Sequence, residues 1–252
     1  MMEKTANVMF KKKWLRQSIN IFLYGSIKQR SFMGILFQKK VNRCGSLQDC
    51  VRLAYGTFNV KPQQVREEIT ELLGMLAADK PKRILEIGTS GGGTLFLLSR
   101  VASSDASIIS LDLPGGSFGG GYSSLKIPFY KIFATQHQKI HFVREDSHLP
   151  QTFQVIQDIL KGCKLDLLFI DGDHTYHGVK KDFEMYNGLV KKGGLIAFHD
   201  ICYTHETACG GEVYKLWREL KKCYPHHEEI VKNRKQGWAG IGVIFNDNLS
   251  SK

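Results

Sequence analysis

Ile84-Leu85-Glu86-Ile87-Gly88-Thr89-Ser90-Gly91-Gly92-Gly93-Thr94 is the stretch that decides how this chain of 252 residues folds. An apolar run, Arg83 to Ile87, stops at a glycine cluster and gives way at once to Thr94-Leu95-Phe96-Leu97-Leu98-Ser99-Arg100, a good helix former. The pattern predicts a strand, a tight turn and a helix. Glycines let the backbone turn with positive φ and come close to a ligand, while the unpaired N–H groups of the new helix face whatever lies beyond the strand end. The stretch reads as a cofactor cradle, against the plainer alternatives of a phosphate loop or a simple strand-to-helix turn.

Working outward, the same alternation continues. An amphipathic helix is expected between Lys61 and Asp79, with Val65, Ile69, Leu72, Leu73 and Leu76 at helical spacing and Pro62 near its start. After the cradle come a strand over Ser107–Leu111 ending on Asp112, and a glycine-rich loop from Leu113 to Tyr122, expected to act as a mobile lid carrying Phe118 and Tyr122. Further strands are expected at Ile140–Arg144, Leu165–Ile170, Leu195–Phe198 and Ala239–Phe245. Between them lie helices over Pro150–Lys161, from Val179 through Val190 to a stop at Gly193-Gly194, and around Val213–Leu220. Strands alternating with helices predict an α/β fold, a Rossmann-like doubly wound and mostly parallel sheet with helices on both faces.

In such sheets ligands bind beyond the carboxyl ends of the strands. Glu86, Asp112, Asp146, Asp171 and Asp200 all fall at or just past such ends. Glu86 would repel a pyrophosphate and suits a ligand with positive charge, and the spacing Glu-x-Gly-x-x-Gly-x-Gly departs from the G-x-G-x-x-G of dinucleotide folds. Asp112 sits where a ribose diol is held, which supports a nucleoside cofactor of either kind. Asp171 and Asp173 after one strand, with His199 and Asp200 after the next, make a cluster of oxygen and nitrogen ligands suited to Mg²⁺ or Mn²⁺, although Asp173 reads more simply as a helix N-cap.

Taken together, the cradle, Phe169-Ile170-Asp171-x-x-His174 and Phe198-His199-Asp200 resemble the class I S-adenosylmethionine (SAM) methyltransferases. Within them they resemble the metal-dependent small-molecule O-methyltransferases: catechol, caffeoyl-CoA and macrolide-sugar enzymes and the cephalosporin-hydroxylase-like group. The resemblance implies a seven-stranded sheet whose last strand runs antiparallel. It further implies that Glu86, Gly88, Thr89, Ser90, Gly91, Gly93 and Asp112 hold SAM, with Asp146 and Ser147 at its adenine. Asp171, His199 and Asp200 would hold a divalent metal, and His174 would be the general base, with His177 in reserve. Relatives carry Asp or Glu where this chain has His199. The activity implied is methyl transfer to a hydroxyl of a sugar or other polyhydroxylated small molecule. The alternatives are an NAD-type oxidoreductase, which Glu86 and the glycine spacing disfavour, and a non-catalytic SAM-binding partner protein docked through a basic arm.

That arm holds most of the chain's charge. The net charge is +11, yet residues 1–43 contribute ten Lys or Arg against the single acid Glu3, a net +9, leaving 25 basic and 23 acidic side chains for residues 44–252. The division expected is a basic amphipathic arm, 1–43, and a SAM-dependent methyltransferase domain, 44–252. The arm interleaves its cations with Val8, Phe10, Trp14, Phe22, Ile35 and Phe37, a composition suited to packing on the domain, to a homodimer contact or to the surface of an anionic membrane. Charge confined to an arm on a near-neutral body gives no expectation of nucleic-acid binding. Six cysteines without a C-x-x-C pair, and no apolar run of membrane-spanning length, predict a cytoplasmic protein, free or peripheral at a membrane.

Overall fold

The computed structural model describes residues 27–57, 60–116, 120–135, 137–202, 211–233 and 237–247. The arm from Val8 to Tyr24 and the loop residue Phe118 lie outside them. Seven strands, β1 (Arg83–Ile87), β2 (Ser107–Leu111), β3 (Lys139–Val143), β4 (Leu165–Ile170), β5 (Val190–His199), β6 (His227–Ile230) and β7 (Ile241–Phe245), form one sheet in the order β3-β2-β1-β4-β5-β7-β6. Strands β1 to β5 pair in parallel, and β7 runs antiparallel to both β5 and β6. The chain winds outward from β1 to β3 and returns on the other side of β1 with β4, so the topological switch point lies between β1 and β4.

Alternation along the strands sends side chains to two cores. Ile84, Ile108, Leu167 and Ala197 meet helices α1 (Ile27–Val41), α2 (Leu47–Gly56), α3 (Arg66–Asp79), α4 (Gly93–Val101) and α5 (Ile127–Lys131) on one face. Leu85, Ile109, Leu168 and Ile196 meet α6 (Pro150–Leu160), α7 (Tyr176–Tyr186) and α8 (Val213–Cys223) on the other. Strands buried on both faces read as continuous apolar runs, which is why β1, β2 and β4 were legible.

Four expectations are corrected. The helix expected to run through Val190 ends at Tyr186, followed by a 3₁₀ turn over Asn187–Leu189; Val190 begins β5, and Gly193-Gly194 lie within that strand, where their N–H and C=O groups bond Asn246. Asn187-Gly188 has poor helix propensity and stops the helix early. Tyr122, expected on a lid, is buried against Tyr130 and Phe142. The helix expected from Lys61 starts at Arg66, and residues 60–64 form an irregular strap outside any α-helix or strand. Asp173 does not cap α7: Thr175 does, accepting from Gly178 N, while Asp173 accepts from Thr175 N. Cys44, Cys50, Cys163, Cys202 and Cys223 are free thiols.

Candidate functional site

The glycine turn between β1 and α4 is held by contacts on three sides. Gly88 has φ +92°, and a Cβ there would collide with the backbone carbonyl of Asp171 at the end of β4. A Cβ on Gly92 would lie 2.6 Å from Tyr130 Cζ, and one on Gly93 would strike Val60 and Pro62 of the strap. These glycines therefore serve close packing of the turn as much as access for a ligand. Ser90 is fixed by three groups: its N–H donates to Asp112 Oδ2 (2.7 Å), its carbonyl accepts from the Tyr130 hydroxyl (3.1 Å), and its Oγ accepts from Gln63 Nε2 (3.0 Å); two residues earlier, Gly88 N donates to Leu111 O.

Beneath the turn lies a buried polar chain. Glu86 Oε2 accepts from Thr89 Oγ1 (2.6 Å), which lies 2.7 Å from Ser110 Oγ, and Ser110 Oγ is 3.1 Å from the Tyr122 hydroxyl. Burial pushes the Glu86 carboxyl up to about 8, against the lowering effect of the Thr89 hydrogen bond. Its Oε1 is buried with no hydrogen-bond partner. Burial also raises Asp112, opposed by hydrogen bonds from the backbone N–H groups of Ser90, Tyr122 and Leu113.

Across the switch point, the ends of β4 and β5 bring two acids and two histidines together. His174 turns both ring nitrogens onto carboxylates, Nε2 to Asp171 Oδ1 at 3.3 Å and Nδ1 to Asp200 Oδ2 at 3.2 Å. His199 Nδ1 lies 3.1 Å from Asp171 Oδ1 and 3.3 Å from Asp200 Oδ1. The His174 side chain is 21% exposed and that of His199 only 4%. Burial works against the charged form of His199, yet the Asp171 and Asp200 carboxylates outweigh it and push the ring up to about 9. His174 is raised in the same way, against burial, by Asp171 and Asp200. Asp171 sits well below the usual carboxylate range: burial would raise it, but the charge of His199 and the hydrogen bond from His174 prevail. Asp200 is held at φ +63°, an unusual conformation for a residue with a side chain, and its Oδ1 accepts from Ala239 N (3.1 Å), itself at φ +63°.

Gln64, absent from the sequence reading, joins the two halves. Its Oε1 accepts from Thr94 Oγ1 (2.7 Å) in the first turn of α4, and its Nε2 donates to Asp171 Oδ2 (2.6 Å). No local pattern marks it, because its partner lies 107 residues away. A second missed pair stands on the β3 side: His148 Nε2 is 3.2 Å from Asp182 Oδ1, a fully buried carboxylate on α7. Asp146 and Ser147 lie beside it, Asp146 Oδ1 accepting from His148 N and Ser147 O from the Tyr186 hydroxyl. His177 is exposed, in an open groove with Glu212, Lys215 and Glu219, away from the Asp171 cluster.

The orphaned Oε1 of Glu86 needs a donor, which an ammonium supplies, and α4 has Gly92 at its N-cap, with no side-chain cap on its N–H groups. For a metal, one ligand atom each from Asp171, His174 and Asp200 lie within 4.8 Å of one another, a spacing that fits a single divalent ion. That trio contains His174, expected as the base, in place of His199, expected as a ligand.

Comparison with known proteins fits this picture. Residues 85–201 match the family model described as a methyltransferase domain. An uncharacterized protein of Sinorhizobium fredii is 30% identical over 174 residues, 68% of this chain and 18% of that protein. A probable caffeoyl-CoA O-methyltransferase of Arabidopsis thaliana is 26% identical over 158 residues, 60% of this chain and 62% of its own length. The chain thus spans less than two thirds of either relative. Among solved structures, the O-methyltransferase TomG from Streptomyces achromogenes, in complex with SAM, superimposes with a TM-score of 0.55 at 16% identity, covering 82% of this chain and 91% of TomG.

Proposed function

We propose that this chain, which carries a methyltransferase domain of the class I fold, moves a methyl group from SAM to a hydroxyl of a sugar or other polyhydroxylated small molecule. The observation that carries this reading is a shared wall. Gly88 of the cradle packs directly on the backbone of Asp171, so the glycine turn that follows Glu86 lies against the acid and histidine cluster.

SAM supplies an electrophilic methyl group on a sulfonium centre. Glu86, buried and short of one donor, attracts the positive end of that molecule, and Asp112 offers a carboxylate toward a ribose. The acceptor hydroxyl must lose a proton as its oxygen is methylated. His174 is the better placed of the two histidines to take it, since it is the more exposed, and Asp171 and Asp200 stabilise the imidazolium that results. Methyl transfer is chiefly a positioning task, and the fixed contacts of Ser90 and Gln64 serve it.

A second reading places a divalent ion between Asp171, His174 and Asp200, and their mutual spacing favours it. Such an ion would lower the pKa of the acceptor hydroxyl. His174 would then be spent as a ligand, so the two readings compete for one side chain. An NAD-type reaction is the weaker alternative because the spacing Glu-x-Gly-x-x-Gly-x-Gly departs from the G-x-G-x-x-G of dinucleotide folds.

The test is calorimetric titration with SAM and with NAD, followed by release of S-adenosylhomocysteine across a panel of hydroxylated acceptors, with Mg²⁺ or with a chelator. Micromolar SAM binding, about −8 kcal/mol, together with acceptor-dependent release, is expected. Binding of NAD in place of SAM would overturn the proposal.

A further inference from the structure

Helix α1 presents two unlike faces. Gly34, Phe37 and Val41 are buried, and the Phe37 ring lies 5.2 to 5.7 Å from those of Phe96, Phe129 and Phe133. On the outer side Met33, Ile35 and Leu36 are 39%, 55% and 38% exposed, and Lys39, Lys40 and Arg43 are exposed beside them. Ile35 and Lys39 stand one helical turn apart, so apolar and cationic side chains share one stripe. No acid lies between Glu3 and Asp49.

We infer that this outer face of α1 docks on an anionic phospholipid bilayer. Apolar side chains enter the boundary between headgroups and acyl chains while the neighbouring cations remain among the lipid phosphates. A second copy of the chain fits less well, because it would bring two segments of net +9 against each other. The chain's own residues 1–26 are also cationic, with Lys4, Lys11, Lys12, Lys13 and Arg16 against Glu3. A nucleic acid would engage the cations but leave Ile35 and Leu36 in water. The docking face is linked to the glycine turn: α1 packs on the α5 region, with Gly34 against Ile132, and the Tyr130 hydroxyl of α5 bonds Ser90 of that turn.

The test is co-sedimentation of the full chain with vesicles of phosphatidylcholine alone and with about one third phosphatidylserine. Binding is expected on the anionic vesicles, weaker by at least about tenfold on neutral ones and falling as salt is raised. The double variant Ile35→Glu/Leu36→Glu alters exposed positions and should keep the wild-type melting temperature while losing vesicle binding. Lys39→Glu/Lys40→Glu, an independent pair, should do the same. Absence of binding to anionic vesicles overturns the inference, as does binding unchanged in both variants. A dimer in sedimentation velocity that Ile35→Glu/Leu36→Glu dissociates would also overturn it and assign the face to a second copy.

Discussion

The side-chain amide of Gln64 donates to Asp171 Oδ2 over 2.6 Å, which leaves the other oxygen of that carboxylate to His174 and His199. Gln64 also accepts from Thr94, so one buried side chain spans the first turn of α4 and the end of β4. Gln64→Leu strands a buried hydroxyl and a carboxylate oxygen, each costing about 1–3 kcal/mol. A loss of that size should appear in urea denaturation, with a lower midpoint and an unchanged slope. Stability within about 0.5 kcal/mol of wild type would mean that neither bond contributes.

Glu86 makes the protein's stability depend on pH in a stated direction. Its folded value of about 8 stands above its ordinary 4.5, so the folded state keeps a proton that the unfolded chain releases. Its contribution is fully present below pH 4.5, is lost as pH rises toward 8, and stays constant beyond. Glu86→Gln should flatten this part of the profile, raising the melting temperature of the ligand-free protein at pH 8 while weakening SAM binding. An unchanged profile of melting temperature against pH would rule out the buried, protonated carboxyl.

His199 acts in a higher window. Its folded value of about 9 exceeds the ordinary 6.5, so its ion pairing with Asp171 and Asp200 is complete below pH 6.5 and is lost as pH rises through 9. Asp200→Asn keeps an acceptor for Ala239 N and tolerates the left-handed backbone, yet removes one carboxylate. In chelator, the upper limb of the stability profile should move to lower pH in that variant, read by thermal melts across the range. A wild-type profile would show that Asp200 does not support His199.

If the second reading holds, the ion takes His174 as the neutral imidazole, in competition with the protonated form that Asp171 and Asp200 favour. Mn²⁺ affinity measured by calorimetry should then rise with pH by about tenfold per unit where one proton is released. Asp171→Asn should abolish it. Affinity independent of pH, or binding retained in Asp171→Asn, would remove Asp171, His174 and Asp200 from consideration as the ion's ligands.

Much of this site was legible because it lies where strands end. Glu86, Asp112, Asp171 and Asp200 each follow a run of apolar residues buried on both faces, and such runs announce their own termini. Strand β6 was not legible: His227-Glu228-Glu229-Ile230 is an edge segment whose charged residues hide any alternation, and its pairing with β7 identifies it. The direction of Tyr122 was missed because a run of glycines suggests motion, whereas aromatic packing and a contact with Ser110 hold this residue in the core. Gln64 and the His148–Asp182 pair depend on contacts far apart in sequence, which no local spacing encodes.

The strap over residues 60–64 bears on how this fold can be cut or shuffled. The family match opens at residue 85, inside β1, but the turn it contains is seated on Val60 and Pro62 and tied to Gln63 and Gln64. A fragment trimmed to the matched region would leave Gly93 facing a vacant groove and Asp171 without its amide. The glycine motif is therefore not a portable cassette: it is one half of a clasp whose other half is written more than twenty residues upstream.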